Sequence, residues 1–107
     1  MVRVILSELA RCDLLDARSY IENDLQNTVA ARKVVAKIFK SMRTLERFPY
    51  AGTPLQVSGL DTDYRVLTSG NYRIFYLCDE KIVRIVRVLS GRRDFMRVLF
   101  GVTEDNQ

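Results

Sequence analysis

Basic side chains are the feature of this sequence that best suits chemistry on an anionic partner. Residues 1–63 carry nine Lys and Arg against eight Asp and Glu, whereas residues 64–100 carry eight against three. The formal net charge of +4 therefore originates in the C-terminal half. A basic surface raises the local concentration of nucleic acid or of an acidic protein. The alternative is a solvated face that only keeps the protein soluble.

Groups that could transfer protons or bind metal are scarce. The sequence contains no histidine, so no side chain has an ordinary pKa close to neutrality. A general acid or base would have to be a carboxylate, a tyrosine or a lysine of lowered pKa. Cys12 and Cys78 lie far apart in the chain and fit neither a zinc site nor a disulfide framework. We therefore expect no metal and no cofactor, and two free cysteines that are buried in a reducing compartment.

The N-terminal half is predicted to form a strand followed by two helices. Residues 2–6 are apolar and β-branched, and Ser7 can cap the helix that follows. Asn27 and Thr28 interrupt that helix, and we expect Thr28 to cap the second one, which Pro49 ends. The predicted inward positions, spaced at the helical period, are Ala10, Leu14, Ala17, Ile21 and Leu25 in the first helix, and Ala31, Val34 or Val35, Ile38, Met42 and Leu45 in the second.

The C-terminal half is predicted to be a meander of strands. Residues 48–59 contain two prolines and two glycines and are expected to stay irregular. Residues 64–68, 72–78 and 82–89 are rich in β-branched and aromatic side chains and indicate three antiparallel strands. Residues 92–100 could form a short last helix. The fold class is therefore α+β: a helical hairpin packed on a mainly antiparallel twisted sheet, in one domain over residues 1–100 with a frayed tail at 101–107.

The size and hydropathy pattern point to a soluble domain. A chain of 107 residues with 48% hydrophobic side chains is long enough for one buried core. No apolar stretch approaches the roughly 20 residues that span a bilayer, and the N-terminal apolar run is too short for a signal peptide. We expect a cytoplasmic location and no membrane partner.

Several short segments, in this order and spacing, resemble the RelE/ParE superfamily of type II toxins. They are residues 13–14 (Asp-Leu), 20–21 (Tyr-Ile), 30–33 (Ala-Ala-Arg-Lys), 45–49 (Leu-Glu-Arg-Phe-Pro) with Gly52, 64–67 (Tyr-Arg-Val-Leu), 70–76 (Gly-Asn-Tyr-Arg-Ile-Phe-Tyr) and 86–94 (Val-Arg-Val-Leu-Ser-Gly-Arg-Arg-Asp). The resemblance covers nearly the whole chain. It implies a fold of the kind described above, growth inhibition by the free toxin, and a cognate acidic antitoxin through which alone operator DNA would be bound.

The resemblance leaves the target open between two classes. RelE-like members cut mRNA on the ribosome, and ParE-like members poison DNA gyrase. By position in the shared segments, Arg65, Arg73 and Arg92 would be the catalytic residues of a nuclease. Leu67, however, stands where that class has a second basic residue, and Ser90 stands where many relatives have histidine.

The residues at 98–100 are apolar where RelE has a tyrosine. We therefore favour gyrase poisoning, with Arg65, Arg73, Arg92 and Arg93 as the target-binding residues. The alternatives are a ribosome-dependent mRNA interferase and an inactive relic that only binds its antitoxin. Arg65 and Arg73 could also simply pair with carboxylates on neighbouring strands.

Overall fold

A five-stranded sheet with helices on both faces forms the body of the molecule. The computed structural model describes residues 1–91 and 94–101. Its strands lie in the order β1-β5-β4-β3-β2, with β1 parallel to β5 and the other neighbours antiparallel. The elements in chain order are β1 (Arg3–Leu6), α1 (Glu8–Ser19), one π-helical turn (Tyr20–Asp24), α2 (Thr28–Arg47), β2 (Thr53–Val57), β3 (Leu60–Ser69), β4 (Tyr72–Cys78), β5 (Ile82–Ser90) and α3 (Phe95–Phe100).

Ser7 joins β1 to α1 and attaches both to the last strand. Its Oγ accepts a hydrogen bond from the Ala10 N–H at 3.0 Å, as the predicted cap requires, and donates one to the Val86 carbonyl at 2.7 Å. The predicted inward stripe of α1 is buried as far as Ile21. Leu25 does not follow it and is 57% exposed, because the π-helical turn changes the period just before this position.

Helix α2 begins one residue earlier than the cap prediction placed it. Asn27, and not Thr28, is the N-cap, and its Oδ1 accepts from the Ala30 N–H at 3.0 Å. Asparagine is at least as good a cap as threonine. The apolar stripe of α2 is confirmed, since its predicted inward positions are buried or half-buried against the sheet. The helices α1 and α2 therefore form the predicted hairpin on one face of the sheet.

Strand β2 corrects the prediction of an irregular segment between residues 48 and 59. Thr53–Val57 pairs antiparallel with β3, with an irregularity between Pro54 and Gln56. A proline fits here because β2 lies at the edge of the sheet, where one side of the strand needs no ladder hydrogen bonds. Strand β3 is correspondingly longer than predicted and extends from Leu60 to Ser69.

The short helix α3 packs on the sheet face opposite the hairpin. On β4, Ile74 and Tyr76 belong to the core beneath α1 and α2. Phe75 points the other way, where its ring stacks on Phe95 of α3 with centroids 5.5 Å apart. Both sheet faces are thus partly covered, which explains why Phe75 is only 1% exposed.

The two cysteines follow one of the two expectations made for them. Both cysteines are free, but Cys12 is exposed on α1 and Cys78 is half-buried, so the prediction that both are buried is wrong. Cys12 lies between the buried stripe positions of α1, on the side that faces solvent.

Arg92, Arg93 and the predicted tail beyond Gly101 lie outside the described residues. Within the described residues, no helix is both long enough and apolar enough to cross a membrane.

Candidate functional site

Arg65 is held by the loop that follows α2. Its Nη2 donates to the Tyr50 carbonyl at 3.1 Å and to the Gly52 carbonyl at 2.8 Å. The guanidinium carbon lies 5.2 Å from the centre of the Tyr50 ring, within the range of a cation–π contact. The donors that could have bound phosphate are therefore used in part to fix the loop. No carboxylate among the described residues pairs with this arginine.

Tyr76 fixes the same loop from below. Its hydroxyl donates to the Pro49 carbonyl at 2.8 Å and accepts from the Gly52 N–H at 2.9 Å. Burial raises the pKa of Tyr76, although its hydrogen bond to Gly52 and the nearby Arg65 partly oppose that rise. A Cβ on Gly52 would approach the Tyr76 hydroxyl to 2.7 Å, so glycine is required by the close contact. Tyr76 is thus a core residue.

Arg73 lies on the opposite face of the sheet from Arg65. It pairs in register with Thr68, whereas Arg65 pairs with Tyr76, so the two arginines alternate to different sides. The Arg73 guanidinium is exposed and lies 5.8 Å from the centre of the Phe95 ring.

The structure therefore does not bring these two predicted site residues together. Within the described part of the chain, Arg73 is therefore the one member of the predicted arginine cluster that lies beside α3. Arg92 and Arg93 precede that helix in the sequence but lie outside the described residues.

Asp13 and Arg87 form a buried ion pair that the sequence reasoning missed. The Asp13 carboxylate accepts from Arg87 Nε at 2.7 Å, from Arg87 Nη2 at 2.8 Å and from the Val88 N–H at 2.9 Å. The hydrogen bond to Asp13 raises the pKa of Arg87 further above its ordinary value. A signal for the pair was present, because Asp13 stands on the buried side of α1 beside Leu14, where an unpaired charge would be costly.

A cleft of about 1100 Å³ opens between the helical hairpin and the turn that joins β3 to β4. Its helical side carries Ile21, Leu25 and Val34, and Lys37 reaches across from α2 towards the turn. Ser69, at the end of β3, is 4% exposed and lines the cleft. Burial and the neighbouring Tyr20 raise the pKa of Tyr72, which also faces this space. The cleft combines apolar walls with a few polar groups, as binding sites do.

The comparison with protein families decides the assignment. The model for the ParE toxin of the type II toxin-antitoxin system parDE matches residues 4–95. The chain belongs to this ParE toxin family. The predicted membership of the RelE/ParE superfamily is thereby confirmed, and this ParE-family chain is the toxin component of a type II toxin-antitoxin system. No curated protein sequence matches it.

Solved structures share the fold of this ParE-family toxin. The chromosomal ParDE toxin-antitoxin system from P. aeruginosa superposes with a TM-score of 0.71 at 21% identity, covering 84% of this chain and 96% of that one. The RelBE2 toxin-antitoxin complex from Mycobacterium tuberculosis gives 0.62 at 22%, covering 83% and 96%. The E. coli DinJ-YafQ toxin-antitoxin complex gives 0.59 at 19%, covering 94% and 98%. At these identities the likeness establishes the fold and no more.

Proposed function

We propose that this ParE-family toxin stops growth by poisoning DNA gyrase when it is free of its antitoxin, and that it does not cleave RNA. The observation that carries the proposal is the set of hydrogen bonds that Arg65 makes to the loop after α2. RNA cleavage by a 2′-hydroxyl requires donors that stabilise phosphate charge and groups that transfer protons. Arg65 Nη2 donates instead to the carbonyls of Tyr50 and Gly52, and its Nε is buried, so the two-pronged contact by which arginine usually binds phosphate is not available.

The surroundings of Arg73 support the same proposal. Its neighbours in the ladder are Thr68 and Leu89, and its guanidinium lies beside the ring of Phe95. None of these three side chains is a general acid or base with a pKa suited to neutral pH. An exposed arginine flanked by aromatic and apolar groups is instead the composition of a protein contact, in which arginine often contributes much of the affinity. We therefore assign Arg73, with Arg92 and Arg93, to the target-binding surface.

The antitoxin is proposed to be an acidic chain encoded beside this one. Support comes from the charge of +4 and from the neighbours in structure, which are described as toxin-antitoxin systems or complexes. A basic toxin attracts an acidic partner over distances of about one Debye length. Operator DNA would be bound only through that partner.

The experiment compares two targets with one set of variants. Purified toxin is added to gyrase on supercoiled DNA and, separately, to translating ribosomes. We expect broken DNA to accumulate with gyrase, and no codon-linked cuts by primer extension. Arg73→Ala should weaken the gyrase effect about tenfold or more, the usual cost of losing an arginine at the centre of an interface.

Arg84→Ala is the matched control, because Arg84 is an exposed arginine on the neighbouring strand β5. It should leave the gyrase effect unchanged. Cuts within translated codons that fall by roughly two to three decades in Arg73→Ala would reverse the assignment and indicate an mRNA interferase. An intact toxin that affects neither target, yet binds its antitoxin, would indicate an inactive relic.

A further inference from the structure

The solvent-facing side of α2 concentrates positive charge. The helix contains one carboxylate, that of Glu46, and six cationic side chains, which are Arg32, Lys33, Lys37, Lys40, Arg43 and Arg47. All six cations are exposed. Within the described part of the chain, none of them forms an ion pair with a carboxylate. Their charge is therefore available to a partner outside the molecule.

The two helices of the hairpin carry charge of opposite sign. Residues 8–24, which form α1 and the π-helical turn, contain five Asp and Glu against two Arg. This acidic segment offsets α2 when charge is counted along the sequence, so residues 1–63 have almost no net charge. In the structure the cations stay together on one helix. A surface of this sign raises the local concentration of a polyanion.

The spacing of the cations along α2 is unfavourable for the isolated helix. Like charges stand three or four residues apart at four successive steps, from Lys33 through Lys37, Lys40 and Arg43 to Arg47. Side chains at these spacings are neighbours on the helix surface, and like charges there destabilise it. Solubility alone does not require the arrangement, since interspersed charges of both signs serve it as well. An anion bound along the helix would relieve the repulsion.

Two classes of partner fit this surface poorly. The apolar side of α2 is already buried in the core, where Ala31, Ile38 and Leu45 are 0% exposed, so no apolar side remains to enter a membrane surface. Interfaces between proteins are depleted of lysine. Interfaces with DNA are much more positively charged than those between proteins. The outer face of α2 therefore has the composition of a nucleic-acid contact.

Three of the cations form a straight row. Lys33, Lys40 and Arg47 follow one another at intervals of seven residues, so they lie almost on one line along the helix, with neighbours about 10 Å apart. The major groove of B-DNA is about 12 Å wide. A helix that lies across this groove brings successive cations to phosphates of the two strands. Contacts to phosphates carry no sequence information, so selection of an operator would still require the antitoxin.

We propose that the outer face of α2, through Lys33, Lys40 and Arg47, binds the phosphate backbone of the duplex DNA on which gyrase acts. The choice of DNA rests on the proposed gyrase poisoning. Helix α2 packs on the sheet face that carries Ile74, whereas Arg73 alternates to the other face, beside α3. The toxin can therefore contact the enzyme through one face and the DNA through the other at the same time.

Direct binding is measured without gyrase, by fluorescence anisotropy of a short labelled DNA duplex with toxin that has been separated from its antitoxin. The test variant is Lys33→Gln/Lys40→Gln/Arg47→Gln. At about 50 mM salt we expect its dissociation constant to be at least about tenfold higher than that of the wild type. The slope of log affinity against log salt should become shallower by roughly 2–3, because three phosphate contacts are lost.

A second triple variant controls for net charge. Arg11→Gln/Lys81→Gln/Arg84→Gln also removes three positive charges, from exposed positions outside α2. Its dissociation constant should change less than about threefold, because only screened long-range attraction is lost. Equal losses in the two triple variants would show a response to net charge alone and would overturn the proposal. Tighter binding of an RNA duplex than of the DNA duplex would overturn the assignment to DNA.

Folding is checked separately. Glutamine is a good helix former, and the α2 variant removes all four like-charge pairs, so its melting temperature should not fall. The charge-preserving variant Lys33→Arg/Lys40→Arg/Arg47→Lys should bind DNA within about threefold of the wild type, because the contact depends on charge. Loss of DNA binding in this variant would contradict the proposal.

The gyrase assay then distinguishes the surface from the target. The α2 triple variant should need at least about tenfold more toxin to give the same amount of broken DNA. Undiminished gyrase poisoning by a variant that no longer binds DNA would overturn the proposal. A wild-type toxin that binds DNA through α2 but does not affect gyrase would instead overturn the proposed function while supporting the DNA-binding surface.

Discussion

Replacement of Arg87 by methionine should strongly destabilise the toxin. Asp13 has a side chain only 6% exposed, and two of its three hydrogen bonds come from Arg87. Arg87→Met retains an unbranched apolar stem but leaves a buried carboxylate with only the Val88 N–H as donor. Removing one partner of a buried ion pair costs about 3–5 kcal/mol. Since the Arg87 side chain is itself 16% exposed, water can partly replace it, and we expect about 3 kcal/mol.

Urea unfolding followed by circular dichroism measures this change. With a slope of about 1–3 kcal/mol per molar urea for a small domain, a loss of about 3 kcal/mol lowers the midpoint by roughly 1–3 M. The double variant Asp13→Leu/Arg87→Met should be less destabilised than the sum of the two single variants by about 2 kcal/mol, because removing both charges leaves neither one buried alone.

Arg18 provides the matched control. Arg18 of α1 pairs with Glu22 of the π-helical turn at 3.0 Å, but its side chain is 53% exposed, so Arg18→Met should cost no more than about 0.5 kcal/mol. If Arg87→Met were as mild as Arg18→Met, the argument from burial would be refuted. If the double variant were strictly additive, the two side chains would not be energetically coupled, and the contact would be incidental.

Three further predictions concern the loop after α2 and the turn before β5. Tyr76→Phe leaves the buried Gly52 N–H unpaired and should lower the free energy of unfolding by about 1–3 kcal/mol, measured with urea. Gly52→Ala places a methyl group 2.7 Å from both the Tyr76 hydroxyl and the Val66 carbonyl and should lower the melting temperature, whereas an unchanged value would mean that the loop yields easily. The N–H groups of Lys81 and Ile82 lower the pKa of Asp79 in the folded state. This contribution to stability is present above pH of about 4 and is lost as the pH falls further, so Asp79→Asn should flatten the acid limb of the stability curve.

Much of the fold was predictable from the sequence because local signals agreed with the tertiary structure. The stripe from Ala10 to Ile21 and the Ser7 cap each follow from one period or one capping rule. At the start of α2 two neighbouring residues, Asn27 and Thr28, both suit the N-cap position, and the sequence prediction chose Thr28 where the structure has Asn27. Strand β2 was missed because Pro54 indicates a loop, and only its place at the sheet edge makes it compatible with a strand.

The candidate site was less predictable because it depends on contacts between distant segments. Nothing in the sequence around Arg65 indicates that its donors fix the loop at Tyr50. The pairing of Asp13 with Arg87 joins residues from opposite ends of the chain, although a charge on the buried side of a helix suggests that some partner exists. Arg65 and Arg73 were predicted to share one target-binding surface, but they lie on different strands, and only the register of β3 with β4 places them on opposite faces of the sheet.

The parallel pairing of β1 with β5 has a consequence for when the toxin can become active. Arg3 and Leu6 lie beside Ile82 and Ile85, about 80 residues later in the chain. The segment that forms β1 is therefore synthesised long before its neighbour in the sheet, and the hydrogen bond from Ser7 to the Val86 carbonyl has to form equally late. Closing so long a loop is slow, and it begins only after β5 has been synthesised. Synthesis of the N-terminal half and completion of the sheet are thus separated in time, and the nascent chain lacks its complete sheet until β5 pairs with β1.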